Sequence, residues 1–174
     1  MGTALLHDDF DPRDFTVTES PDLQEFPGAA EQVQLRRLHE TLIRARAILR
    51  AGAGSLIGIQ INSGFRSPLL NSSLNDSSPT SQHMHGQAAD IRPLGLSAGE
   101  AFDLLRPRAA ELGIRQLIWY ADENFLHVGV LGPGYATRKP WAQIKRGADH
   151  WEHVPWEAAA SPFGVAPREP GRVA

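Results

Sequence analysis

Apolar residues recur at helical spacing between Ala29 and Ala51: Val33, Leu35, Leu38, Leu42, Ala45, Ile48 and Leu49. Arg36, Arg37, Arg44, Arg46 and Arg50 fall mostly between them, so this stretch is predicted to be an amphipathic helix with a solvated basic face. Gly52 and Gly54 are placed to stop it. Leu56 to Ile61 reads as a buried strand, and Ser67 to Asn75 as a short helix or turn. Gln87 to Arg92 is the next expected strand. Ser97 and Glu100 form a capping box that opens a helix running to about Leu112, with Pro107 set to kink or interrupt it. Gln116 to Tyr120 and Phe125 to Leu131 then read as a hairpin closed by the polar turn Ala121 to Asn124.

This pattern divides the chain into an extended lead-in (residues 1–28), a core (29–131) and a tail (132–174). The lead-in is rich in Asp, Pro and Thr. The tail holds both lysines, Lys139 and Lys145, and the tryptophans Trp141, Trp151 and Trp156. The tryptophans are expected to pack back onto the domain, with a docking role as the alternative, and the last dozen residues are expected to be disordered.

Composition narrows the class. With 174 residues and 41% hydrophobic content, the chain can build one domain with a substantial core. A net charge of −3 argues against a nucleic-acid binder. The lack of cysteine excludes disulfides and thiolate metal sites. No secretory signal is expected from Met1 to Asp14, and no stretch approaches the roughly 20 apolar residues of a membrane span.

The candidate chemistry lies in Ser81-Gln82-His83-Met84-His85-Gly86-Gln87-Ala88-Ala89-Asp90 and in Phe125-Leu126-His127-Val128-Gly129-Val130. Alternate strand residues face one way, so Leu126, Val128 and Val130 suit the core while His127 points away from it. Gly86 allows a sharp turn that brings His83 and Asp90 together. Two imidazoles and a carboxylate leave the fourth position of a tetrahedral zinc open, and the mixed nitrogen–oxygen set favours zinc over calcium or magnesium. His85, two residues from His83, competes for the same role on residue type alone. His150 and His153 stand three apart, a spacing that could bind metal on a helix, but Pro155 and the tail context favour a surface reading. His7 and His39 look incidental.

Three blocks resemble the zinc D-Ala-D-Ala peptidases, in particular the small murein peptidase domains of bacterial and phage cell-wall hydrolases. They are Ser63-Gly64-Phe65-Arg66-Ser67-Pro68-Leu69-Leu70-Asn71, the Ser-x-His-x-x-Gly-x-Ala-x-Asp spacing from Ser81 to Asp90, and Gln116-Leu117-Ile118-Trp119 followed by His127-Val128. Phe15 to Glu19 resembles the family's lead-in, so the likeness covers residues 14 to 131. The resemblance implies an α+β fold, with a small mostly antiparallel sheet packed with helices, of the D-Ala-D-Ala peptidase/Hedgehog-like zinc type. It implies Zn2+ held by His83, Asp90 and His127, with His85 outside the ligand set. Arg66 would sit in the site, to anchor a substrate carboxylate or stabilise an oxyanion, and Ser81 would orient a ligand or the substrate.

The expected activity is that of a zinc metallopeptidase acting on peptidoglycan stem peptides at D-amino-acid linkages, as a D,D-carboxypeptidase or endopeptidase. Several relatives carry a Glu base three residues before the last zinc histidine, where this chain has Asn124. Tyr120 stands where phage-type relatives often have Glu, and Gly129 replaces the Ser usual after His-Val. The carboxylates nearest His127 in sequence are Asp122 and Glu123, which become the candidate proton shuttles. The rival reading is a non-catalytic zinc-containing structural or wall-binding module, for example a phage virion component docked through residues 132–174. Without a signal peptide, the protein is expected to reach the wall by phage delivery or lysis.

Overall fold

The computed structural model describes residues 2–54, 56–75, 77–132 and 141–156. Its centre is a seven-stranded sheet built from β1 (Ala4–Leu5), β2 (Gly58–Ser63), β3 (Ala88–Leu94), β4 (Ile114–Tyr120), β5 (Phe125–Val130), β6 (Trp141–Arg146) and β7 (His150–Val154). The order is β1-β2-β3-β5-β4-β6-β7, antiparallel except where β6 runs parallel to β4. With its helices the molecule is α+β. Among the described residues no helix is long and apolar enough to cross a membrane.

Helix α1 (Ala29–Ala53) buries Leu35, Leu38, Leu42, Ala45 and Leu49 completely. These positions repeat every three or four residues and form the stripe that meets the sheet. Helix α3 (Ala98–Leu105) joins α1 on that face, after the short α2 (Pro68–Ser73) on the chain segment leading to β3. The capping box is formed: Ser97 Oγ accepts from Glu100 N at 3.2 Å, and Glu100 Oε2 accepts from Ser97 N at 2.9 Å. Pro107 interrupts the helix as expected. A single 3-10 turn, Arg106–Arg108, separates α3 from α4 (Ala109–Leu112).

The structure corrects details of the α1 reading. Val33 is 53% exposed, so the apolar stripe begins at Leu35. Arg46 is buried rather than solvated, with its guanidinium donating to Leu6 O at 2.8 Å and pairing with Asp8. Gly52 remains helical, packed against Leu104, and Gly54 ends the helix in the left-handed region at φ 65°. His39 is not incidental. It is a core imidazole whose Nε2 lies 3.0 Å from His7 O, with its ring against Phe10 and Phe15.

The lead-in does more than extend. It adds β1 to the sheet, buries Leu6 and Phe15, and buttresses the loop after β2. Phe15 O accepts from Phe65 N at 2.7 Å, Gln24 bonds both Phe65 O and Ser67 N, and Ser67 Oγ donates to Leu23 O. Gly64 is required there, because a Cβ would fall 2.5 Å from Phe15 O. At the other end of the sheet, residues 141–156 of the segment read as a tail form β6 and β7. Ala142 and Ile144 enter the core and Trp156 packs against it, while Trp151 is 42% exposed. The last dozen residues, expected to be disordered, lie outside the described residues.

Candidate metal centre

The helix-covered face of the sheet takes Ala89 and Ile91 from β3, Leu117 from β4, and Leu126 and Val128 from β5. The alternating residues of the same strands point to the opposite face. Asp90 of β3 and His127 of β5 lie on that second face as direct cross-strand partners. His83 arrives from the 3-10 turn Gln82–His85, which Ser81 caps by accepting from His83 N at 3.4 Å. Gly86 closes this turn at φ 65°, where a Cβ would also meet Glu31 O at 2.7 Å.

Three ligand atoms converge. His83 Nε2 is 3.2 Å from His127 Nδ1 and 3.4 Å from Asp90 Oδ1, and His127 Nδ1 is 2.8 Å from the same oxygen. Zinc bonds of about 2.0–2.1 Å to nitrogen and oxygen require tetrahedral edges of roughly 3.3 Å, close to this triangle. The His83 tautomer fits ligation. His83 Nδ1–H donates to Gly64 O at 2.6 Å, which leaves a lone pair on Nε2 facing the other two ligands. Two imidazole nitrogens aimed at one carboxylate oxygen is an arrangement a cation satisfies directly. Among the described residues these three are the set of His, Asp and Glu side chains that could hold a metal. His85 is exposed and outside it. His150 and His153 lie on β7, not on a helix, so a three-residue separation sends their side chains to opposite faces.

The electrostatics suit ligation. Burial lowers the His83 imidazole below its ordinary value, with Asp90 only partly opposing, so the ring stays neutral. Burial alone would push the Asp90 carboxyl up. The two facing imidazoles, with His127 hydrogen-bonded to it, outweigh it and hold the group well below the usual carboxylate range. Asp90 Oδ2, the oxygen turned from the triangle, accepts from Arg66 Nη2 at 2.8 Å. Arg66 is itself fixed by Nε donating to Ser63 Oγ at 3.0 Å and by its backbone N–H to His83 O at 3.2 Å.

The triangle opens onto a cleft of about 280 Å³ whose walls include Arg66, Ser81, Arg115, Tyr120 and Trp141. Arg66 and Ser81 are thus brought to the ligands. Asp122 and Glu123 are not among the residues that line the cleft. Both are exposed in the β4–β5 turn, where the Asp122 carboxylate accepts from Gly147 N and Glu123 O accepts from Arg92. Asn124 adopts φ 54°, and its side-chain Oδ1 accepts from Ala98 N at 2.9 Å, at the first turn of α3. The position of the relatives' Glu base is occupied here by a helix-capping residue. Gly129 has a packing cause: the Gln82 carboxamide lies 2.3 Å from where its Cβ would stand.

Arg115 and Trp141 have no place in the sequence reading of the site. The only signal for Arg115 is parity: the apolar Ile114 and Leu117 both enter the helix-covered core, whereas residues three apart on an unbroken strand face opposite ways.

A family model described as Peptidase M15 matches residues 14–129, more than half of the chain and all three converging side chains. No curated protein matches the chain.

Proposed function

The chain belongs to the peptidase M15 family, and on that premise we propose that it is a zinc metallopeptidase hydrolysing peptidoglycan peptides at D-amino-acid linkages. The observation that carries this reading is the convergence of His83 Nε2, Asp90 Oδ1 and His127 Nδ1 at the floor of an open cleft. Zinc bound by these atoms would supply Lewis acidity, polarising a carbonyl and making water nucleophilic near neutral pH.

The rest of the chemistry belongs to the chain. Arg66 spends two donors on Asp90 and Ser63, and its remaining N–H groups are available to a substrate carbonyl as charge develops on its oxygen. Tyr120 offers a second donor. Its phenol is pushed up to about 12 by burial and then by the Asp90 charge, so it keeps its proton at any working pH. Ser81 positions His83 through the turn it caps.

A second reading, a non-catalytic zinc-bearing wall-binding module, rests on one observation. Among the described residues, Asp90 is the only carboxylate on the cleft wall, and it is already engaged. Incubation of the zinc-loaded protein with purified peptidoglycan, with and without chelator, separates the two. Chelator-sensitive release of fragments cut next to a D-amino acid, identified by mass spectrometry, is expected. No release from several wall types, with zinc confirmed bound, would transfer the conclusion to the binding module.

A further inference from the structure

Arg115 reaches the cleft because β4 is irregular at that residue. Ile114 pairs with Val130 and Gln116 pairs with Gly129, so Arg115 is an extra residue in the ladder. Bulges of this kind re-aim a side chain and recur beside functional sites. Here the bulge keeps Ile114 and Leu117 in the core and puts Arg115 and Gln116 together on the cleft wall.

The guanidinium that arrives there is unspent. Among the described residues the Arg115 side chain has no ion-pair or hydrogen-bond partner, and its Nε is buried. A buried donor left unsatisfied is costly, and natural structures rarely keep one without a ligand, water or ion to accept from it. Arg66, on the opposite wall, is the contrast: its charge is countered by Asp90 at 2.8 Å. Since Asp90 also faces both histidines, no acidic group on the described wall remains for Arg115.

We propose that Arg115 anchors a substrate carboxylate, so that the cleft selects peptides carrying a free acid close to the bond that is cut. A planar guanidinium on a cleft wall matches a carboxylate in a bidentate manner. The reach is suitable. Ile118 is the cross-strand partner of His127, and the bulged Arg115 lies between two and three ladder steps before it, roughly 7–10 Å at about 3.3 Å per step. An extended peptide spans a similar length in about three residues. The acid is therefore either the terminal α-carboxylate of the peptide or a side-chain carboxylate in its stem. The identity of the peptide rests on the peptidase reading; the anion preference does not.

Binding of four reduced-amide stem peptides to the zinc-loaded protein tests this. One is a diacid, one has only its C-terminus amidated, one has only its side-chain carboxyl amidated, and one has both amidated. Titration calorimetry is expected to show the diacid binding on the order of ten-fold or more tighter than the diamide, the size of a charge-assisted bond. The singly amidated peptide that behaves like the diamide names the carboxylate. Arg115→Gln should bind the diamide as the parent protein does and lose the preference, whereas Arg115→Lys should keep part of it, with zinc content and circular dichroism unchanged in both. A parent protein without acid preference, or Arg115→Gln that retains it, overturns the proposal. An Arg115-dependent preference without release of wall fragments would leave this inference standing and remove the peptidase reading. Fragment release without the preference would do the reverse.

Discussion

Asp90 and His127 face each other as register partners across the antiparallel pair β3–β5, with Asp90 Oδ1 2.8 Å from His127 Nδ1. Two of the three ligands are therefore set by sheet register. A slip of one residue in either strand would turn that strand's ligand to the helix-covered face, where Leu126 and Val128 now pack, and part the pair. The third, His83, is positioned by a capped turn and its bond to Gly64 O, so that the sheet supplies rigidity and the loop completes the triangle.

Removing His127 should remove the metal. His127→Ala leaves only one nitrogen and one carboxylate, and zinc affinity is expected to fall by more than the roughly 10–100-fold that loss of an outer-shell partner costs. Metal analysis after gel filtration reads this directly. Zinc retained at one equivalent in His127→Ala would remove the proposed centre.

Asn124 is where comparison with relatives invites an obvious repair, and the structure predicts that the repair fails. Its left-handed φ of 54° and its bond to Ala98 N turn the side chain toward α3. Asn124→Glu exchanges a residue tolerant of that conformation for one that is not, and loses a cap of about 1 kcal/mol. The variant is expected to melt earlier and to gain no turnover. A clear rise in rate would mean that position 124 reaches the cleft after all.

Asp122 lies outside the cleft, with its carboxylate occupied by Gly147 N. Asp122→Asn keeps the shape and an acceptor oxygen, so we expect activity within a few-fold of the parent and unchanged zinc content. A positioned acid–base group typically contributes about 100- to 10,000-fold. A loss on that scale, with zinc kept, would restore Asp122 as the proton shuttle and require the β4–β5 turn to move during the reaction.

How much of this was legible depended on whether the information was periodic. The α1 stripe, the Ser97–Glu100 box and the alternation that turns His127 away from Leu126 and Val128 are local repeats, and each expectation matched the structure except at Val33, which is exposed. The clustering of His83, Asp90 and His127 could be anticipated from blocks of fixed spacing, while the register that unites them joins residues far apart in the chain. Three features were invisible for definable reasons. One left-handed residue sends the Asn124 side chain to the helix layer. One extra residue in β4 sends Arg115 to the cleft. The parallel pairing of β6 with β4 is a long-range contact that composition does not encode, so residues 141–156 read as tail. Arg46 was misread because a helical wheel counts charge and ignores a carbonyl, here Leu6 O, arriving from the lead-in.

Tyr120 gives a prediction with a defined sign. Its ring stacks on Phe125 at 4.3 Å between centroids and stands edge-on to Trp151, with the phenol at the cleft wall. Burial is the first cause of its rise to about 12, and the Asp90 charge is the second. Because the folded value exceeds the ordinary 10.0, the neutral form is favoured by the fold. Its contribution to stability is fully present below pH 10 and lost as pH climbs through about 12. Alkaline ultraviolet titration of the protein minus that of Tyr120→Phe isolates this phenol from the second tyrosine, and the difference should show phenolate appearing near pH 12. If Tyr120 donates to the developing oxyanion, Tyr120→Phe lowers turnover on the order of 100-fold, as removal of one such donor does. The alkaline limb of the pH–rate profile below about pH 11 should keep its midpoint in that variant, since the phenol does not titrate there. A difference titration centred on 10 would mean that the phenol faces water, and Tyr120 would then lose its place as a donor in the cleft.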